Sequence, residues 1–238
     1  MIDAIIQARL GSTRLPGKIL KKIDNKTLIE IMISRVIKSK KIKNLIICTT
    51  TKKLDDKIEG LCKKLKIKYF RGSEKNVMLR YIKCAKKFKT KHIVRLTSDC
   101  PFVDPKNIDG MISYYLKSKC DYLSNTCPPN VSTFPNGSDI EIFAAEKLSM
   151  IYQYEKRKKF REHVTLNFWQ EKKYNSLLYK CSTDMSKYRY TLDYYDDLKV
   201  IKKIYQKFKK NISNVSTVNI VEYLMNNPDV MGYNDKYR

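Results

Sequence analysis

Short apolar runs alternate with segments of helical spacing along the first half of the chain, an order that predicts βα units on a mostly parallel sheet. Ile2 with Ala4, Ile5 and Ile6 forms the first run, and 44–50 (NLIICTT), 67–70 and 92–96 give three more. Runs of this kind suit strands covered on both faces. Between them Leu28, Ile31, Met32, Arg35 and Val36 fall on one helical face, as do Ile58, Leu61, Cys62 and Leu65. Val77, Tyr81, Cys84, Ala85 and Phe88 line a helix that Ser73 is expected to cap, and Ile108, Met111, Ile112 and Tyr115 line the helix after Pro105. Beyond Asp121 the rhythm breaks. Cys127-Pro128-Pro129 and Pro135-Asn136-Gly137 bracket a loop before a strand at 139–143. Helices at 145–156 and 161–171, strands at 176–181 and 188–192, helices at 195–209 and 217–226 and a polar tail complete the expectation. The whole pattern reads as one domain over 1–238 with an excursion at about 125–165.

The stretch at the end of the first strand, Gln7-Ala8-Arg9-Leu10-Gly11-Ser12-Thr13-Arg14-Leu15-Pro16-Gly17-Lys18, mixes small residues with cations. Gly11 and Gly17 let backbone approach an anion, Ser12 and Thr13 add donors, and Arg9, Arg14 and Lys18 add positive charge. The loop leaves the C-terminal end of a strand, where open α/β sheets bind their ligands. It has neither the Walker nor the Rossmann glycine spacing, which argues against a P-loop NTPase and a dinucleotide enzyme.

Composition narrows the picture. The formal net charge of +25 over 238 residues raises nucleic acid and anionic membranes as partners. The charge is mostly lysine, however, and is scattered as in Lys38-Ser39-Lys40-Lys41 and Lys207-Phe208-Lys209-Lys210 without a recognition tract. Neither partner is therefore expected. Seven dispersed cysteines form no CxxC pair and fit a reducing cytoplasm. With no apolar run of about 18 residues and no leader-like start, a soluble, unprocessed cytoplasmic protein is expected.

Two aspartates stand at strand ends, the first of them at the sheet edge from which the loop also emerges. Asp99 follows the fourth apolar run and Asp193 ends Tyr188-Arg189-Tyr190-Thr191-Leu192. Magnesium takes oxygen ligands, one or two carboxylates with phosphates and water, so these two suffice as its protein ligands. Asp104 and Asp196 fit better as helix caps. Thr49, Thr50 and Thr97 sit at neighbouring strand ends as possible donors, and Asp139 and Glu141 occupy alternate positions that share one face of a strand.

The motif AxxGSTRxPGK, the Thr97-Ser98-Asp99-Cys100-Pro101 segment and Asp193-Tyr194-Tyr195-Asp196-Asp197-Leu198 resemble the cytidylyltransferases that activate sugar acids, most of all their spore-coat polysaccharide F branch. The resemblance implies a three-layer α/β/α nucleotidyltransferase fold, glycosyltransferase A-like and Rossmann-like, with a mostly parallel mixed sheet. It places CTP along Ala8, Arg9, Gly11, Ser12, Arg14 and Lys18, with Thr49, Thr97, Arg71, Gly72 and Ser73 about the nucleoside. It gives Arg14, Lys18, Asp99 and Asp193 the catalytic roles and makes Asp99 and Asp193 the Mg²⁺ ligands. Gly137-Ser138-Asp139-Ile140-Glu141 matches the family's GxDxE strand and Arg161-Glu162-His163-Val164-Thr165 its EHVT segment, so Asp139, Glu141, Arg161, His163 and Arg189 are expected to converge on an acceptor. The implied activity moves CMP from CTP to an acidic sugar or phosphorylated acceptor with release of pyrophosphate, for surface glycan synthesis. A homodimer joined through the 125–165 excursion is implied too. The alternatives are a nucleotidyltransferase using another nucleotide on a sugar phosphate, and a basic nucleotide- or nucleic-acid-binding protein without catalysis.

Overall fold

Ala4 and Ile6 pack on one side of the first strand and Ile5 on the other, and each side has its own layer of helices. The computed structural model describes residues 2–128 and 131–237. In chain order the elements are β1 (Ile2–Gln7), a two-stranded hairpin of β2 (Lys22–Ile23) and β3 (Lys26–Thr27), α1 (Leu28–Val36), β4 (Asn44–Thr50), α2 (Asp56–Lys64), β5 (Lys68–Gly72), α3 (Val77–Phe88), β6 (His92–Thr97), α4 (Pro105–Ser118), β7 (Tyr122–Ser124), β8 (Glu141–Ala144), α5 (Ala145–Tyr154), α6 (Lys158–His163), α7 (Leu166–Gln170), β9 (Ser176–Leu178), α8 (Tyr195–Phe208), α9 (Thr217–Met225) and α10 (Pro228–Gly232).

The main sheet has seven strands in the order β5-β4-β1-β6-β8-β7-β9, and only β8 runs against the rest. Gln7 lies opposite Cys48 on one side and Thr97 on the other, and Thr50 lies opposite Gly72. The ends of four parallel strands therefore share one edge, from which the glycine loop and Asp99 both emerge. This is the mostly parallel mixed sheet, helices on both faces, that the apolar runs predict.

Ala4, Ile6, Ala8, Ile47, Val94, Leu96 and Ile142 are buried with Ile29 and Met32 of α1, Ile58 of α2 and Ile108 and Met111 of α4. On the opposite face Ile5, Ile46, Cys48, Ile93 and Phe143 meet Met78 and Tyr81 of α3, Leu148 and Ile151 of α5, and Phe168 of α7. A third cluster joins Leu28 and Ile31 of α1 to Phe102, Tyr190 and Leu192 and to apolar residues of α8, α9 and α10. It fastens the 188–192 segment to the loop after β6.

Several local expectations shift. The cap of α3 is Asn76, which accepts from Leu79 N at 3.0 Å, while Ser73 accepts from Asn76 N one turn earlier. β5 runs on to Gly72, so the helix begins later than Ser73 would start it. The expected helix at 161–171 is two pieces broken at Val164, whose φ of 63° lies outside the helical region. Segment 188–192 has the composition of a strand but only a single bridge, Arg189 to Asn136, because its other backbone partner is the carbonyl of Asp99. The tail also folds, with Pro228 opening α10.

Arg35 is fully buried, and its guanidinium donates to the carbonyls of Phe102, Val103, Ile212 and Val215. Burial pushes its pKa down to about 10, which leaves it charged at neutral pH. It ties α1 to the segment just after Asp99.

Candidate active site

The glycine loop is closed by its own backbone. Ala8 N–H bonds to Cys48 O at 3.2 Å, Gly17 N–H to Leu10 O at 3.1 Å, and Gly17 takes a left-handed φ of 65°. Leu10 and Leu15 are buried, which turns Arg9, Gly11, Thr13 and Arg14 outward. Asp55, just ahead of α2, accepts from Leu10 N at 2.8 Å and from the Thr50 hydroxyl, fixing the loop's entry. Asp55 is not among the residues that the sequence pattern singles out.

Lys18 is the centre of the site. Its Nζ donates to Asp193 Oδ1 at 3.0 Å, to Leu192 O at 2.6 Å and to Asp99 Oδ2 at 3.3 Å. Burial pushes the Asp99 carboxyl up, but the Lys18 ammonium and a hydrogen bond from Thr97 outweigh it and hold Asp99 below the usual carboxylate range. Arg14 donates to Asp193 Oδ1 at 2.9 Å and to the Tyr194 hydroxyl at 3.3 Å. Asp99 in turn accepts Leu192 N–H on its backbone carbonyl at 2.8 Å, so the two aspartate-bearing loops are bonded to each other. Gln7, Ser12, Thr97, Asp99 and Asp193 line a cavity of about 190 Å³ around Lys18.

A larger cavity, about 660 Å³, shares Arg9 and Thr13 with it and adds Gly11, Lys52, Glu74, Asn76 and Arg161. Glu74 pairs with Lys52 at 2.6 Å and faces Arg9 at 3.9 Å. Together the two cavities make a groove along the loop, acidic at Asp99 and Asp193 and mostly basic beyond Arg9.

Arg71 is turned away from this groove. It donates to Glu59 at 2.6 Å, to Asp56 at 2.7 Å and to the carbonyls of Thr50 and Lys52, so it joins β5 to α2. Gly72 has no room for a side chain, since a Cβ there would lie 2.9 Å from the Phe70 ring. Thr49 is buried, and its hydroxyl has no partner among the described residues.

The five residues expected around an acceptor do not line one pocket: Arg161 lines the larger cavity beside the glycine loop, while Asp139 and Arg189 line two others that adjoin at Asn136 and Ser186. Asp139 precedes β8 and accepts from Thr126 Oγ1 at 2.9 Å, Gly137 N at 3.0 Å and Cys100 Sγ at 3.4 Å. Because Cys100 Sγ also lies 3.8 Å from Asp99 Oδ1, Asp139 sits next to the Lys18 cluster. Glu141 is paired with Arg95 at 2.5 Å, and Arg95 reaches Gln7 Oε1 at 3.4 Å. Buried Glu141 Oε2 and Arg95 Nε have no partner among the described residues. Arg161 lies over the Tyr152 ring and donates to Glu155 O at 2.8 Å, while His163 is exposed at the end of α6. Arg189 is buried against Asp197 at 3.0 and 3.1 Å and reaches Asp193 at 3.4 Å.

Asp197 is the residue that the sequence pattern alone undervalues. Fully buried in the first turn of α8, it accepts the backbone N–H groups of Asp193 at 2.8 Å and of the N-cap residue Tyr194 at 2.9 Å, so it fixes the start of the helix from inside. Asp196, expected as a cap, instead pairs with Lys199 and Lys236 on the surface, whereas Asp104 does cap α4. The D-x-x-x-D-L spacing held the signal, since Asp197 is its second aspartate.

No cluster of three or more His, Cys, Asp or Glu side chains suited to a metal occurs among the described residues. Two carboxylates nevertheless converge on a single ammonium. Such an all-oxygen pair fits Mg²⁺, which draws its remaining ligands from phosphates and water.

The cytidylyltransferase family profile matches residues 4–224. The spore coat polysaccharide biosynthesis protein SpsF of Bacillus subtilis is 35% identical over 94% of this chain and 94% of its own. A solved cytidylyltransferase from Leptospira borgpetersenii serovar Hardjo-bovis is 34% identical, with a TM-score of 0.91 over 97% of this chain and 96% of that one. The solved CMP:2-keto-3-deoxy-manno-octonic acid synthetase, in complex with CTP, shares the fold at a TM-score of 0.64 and 14% identity over 87% of this chain and 98% of that one.

Proposed function

The chain belongs to the cytidylyltransferase family, and from that premise we propose that it transfers CMP from CTP to an oxygen of an acidic or phosphorylated small molecule, releasing pyrophosphate. The observation that carries this reading is Lys18, poised between Asp99 and Asp193 at the mouth of the glycine loop. An acceptor oxygen forms a bond to the α-phosphorus as the bond to the β-phosphate oxygen breaks, and the electron pair leaves with pyrophosphate. Lys18 and Arg14 stabilise charge that gathers on the phosphates during that exchange. Asp99 and Asp193 would hold Mg²⁺, which supplies further charge neutralisation when bound. The basic run of Arg9, Lys52 and Arg161 suits the rest of a polyanionic nucleotide.

On the acceptor side, Thr126, Ser132, Asn136, Asp139 and Ser186 with the ring of Phe134 line a groove of about 210 Å³, a mix of donors, acceptors and an apolar face suited to a sugar. A role in making a surface glycan follows from the named function of the Bacillus relative. No helix among the described residues is long and apolar enough to cross a membrane, and a cytoplasmic site of action, where CTP is made, is part of the reading. So is a dimer through the 125–165 region, supported by the exposed Val131, Met150 and Tyr154.

The deciding experiment is a pyrophosphate-release screen of the four ribonucleotides against sugar acids and phosphorylated sugars. CTP with one acidic acceptor is expected to turn over, and CTP with Mg²⁺ to raise the melting temperature more than ATP or GTP does. Tight binding of random duplex DNA at physiological salt, with no stabilisation by any nucleotide, would sink the reading.

A further inference from the structure

The residues after α10 turn back onto the site. Asn234 is fully buried, and its Nδ2 donates to Asp197 Oδ1 at 2.7 Å and to Arg189 O at 3.4 Å. Both partners are acceptors, which sets the orientation of the amide. Asp197 Oδ2 receives the N–H groups of Asp193 and Tyr194, and Arg189 spans Asp197 and Asp193. A bond network thus runs from the tail to the carboxylate that faces Lys18. A second contact runs beside it. The Tyr237 ring stacks on Tyr194 at 3.9 Å with 8° between the planes, and Tyr194 carries Arg14, whose guanidinium carbon lies 5.1 Å from the ring centre. The tail residues Asn234 and Tyr237 lie beyond the stretch 4–224 that matches the family.

We propose that the C-terminal tail is a positioning element of the active site: Asn234 orients Asp193 through Asp197, and Tyr237 backs the Tyr194 on which Arg14 rests. The physical reason is rotational. Without the Asn234 amide, Asp197 Oδ1 keeps only Arg189 Nε while Oδ2 keeps Arg189 and the two backbone N–H groups, so the carboxylate loses one of its two Oδ1 restraints and is held less tightly in the plane that sets those N–H groups. Asp193 then loses its fixed direction toward Lys18. The inference rests on the proposed transfer of CMP, so its test has one arm that does not depend on activity.

Asn234→Ala is expected to lower kcat about tenfold and to raise the Mg²⁺ concentration for half-maximal rate, with the KM for CTP little changed. Asn234→Asp keeps the shape but sets a carboxylate against Asp197, so at about pH 8 it is expected to do no better than alanine. Lys210→Ala, an exposed change outside this network, serves as the control with unchanged kcat. In the metal-free, ligand-free protein, Asn234→Ala and Asp197→Asn are expected to be non-additive in melting temperature, as residues of one network are. Wild-type kcat and Mg²⁺ dependence in Asn234→Ala, rescue by Asn234→Asp, or additive melting shifts would each overturn the proposal. A wild-type protein that releases no pyrophosphate from any nucleotide would overturn the CMP-transfer reading instead, and the melting cycle would still decide the role of the tail.

Discussion

Lys18 Nζ and Asp193 Oδ1 are 3.0 Å apart although 175 positions separate the two residues in the chain. Both side chains are largely buried, at 11% and 17% exposure, so the contact is unlike a solvated surface pair. The same ammonium reaches Asp99, which makes Lys18 the cation that holds two carboxylates together before any ligand binds.

Removing that cation is expected to harm chemistry first. Lys18→Ala should lower turnover on the order of 10²-fold or more, and Arg14→Ala by a similar order, because both act on charge that develops during transfer. Stability should separate them, since Arg14 is half-exposed whereas loss of Lys18 leaves Asp99 and Asp193 without their shared partner. Steady-state kinetics together with thermal melting of both variants checks this, and near-normal turnover in both would remove the loop from the site.

Divalent metal is expected to be required. Mg²⁺ or Mn²⁺ should restore a chelator-treated sample, and Asp99→Asn should lose most activity at any metal concentration, because an amide oxygen is a weaker ligand for a hard cation than a carboxylate. Full activity in excess chelator would defeat the assignment of Asp99 and Asp193.

Arg189 and Arg161 are expected to part company. Arg189→Ala strips a buried carboxylate, Asp197, of its main ionic partner, a change that typically costs about 3–5 kcal/mol. Arg161→Ala removes one bond to a carbonyl and a ring contact at the rim of the larger cavity. It should leave the fold intact and weaken CTP, since Arg9 and Gly11 line the same space. Urea melts and calorimetry with CTP on the two variants distinguish them. Equal loss of stability in both would show that the difference in burial carries no weight.

Glu155 gives a pH test. Arg157 first, then Asn167, hold its carboxyl down to about 2 against the opposing effect of burial. A depressed folded-state pKa contributes stability that is present above the unfolded-state value and is lost as pH falls toward the folded one. Glu155→Gln should therefore melt a few degrees below wild type at about pH 7, with the gap narrowing as pH drops from about 4.5 toward 2. A gap that stays constant over that range would mean that the charge of Glu155 is not what stabilises the turn into α6.

Hydrophobic periodicity by itself determined the layered α/β sheet, its first four parallel strands and the helices between them, because strands covered on both faces and amphipathic helices leave local patterns. The glycine loop with Arg14 and Lys18, and the two strand-end aspartates, were legible for a related reason. Phosphate-holding loops need small residues and cations at close spacing, and strand ends on one sheet edge meet in space. Tertiary structure decided everything that depends on contacts between distant segments. It turned Arg71 onto α2, set Glu141 on Arg95, placed Arg161 beside the glycine loop and made Asp197 the support of Asp193. It left 188–192 short of a strand by giving its backbone partners in two loops, and it brought Asn234 back under the site. In each case the side chain or backbone group is polar and its partner is fixed by the packing of separate elements. Such a group is satisfied only once the fold has closed, so no local pattern announces where it will point.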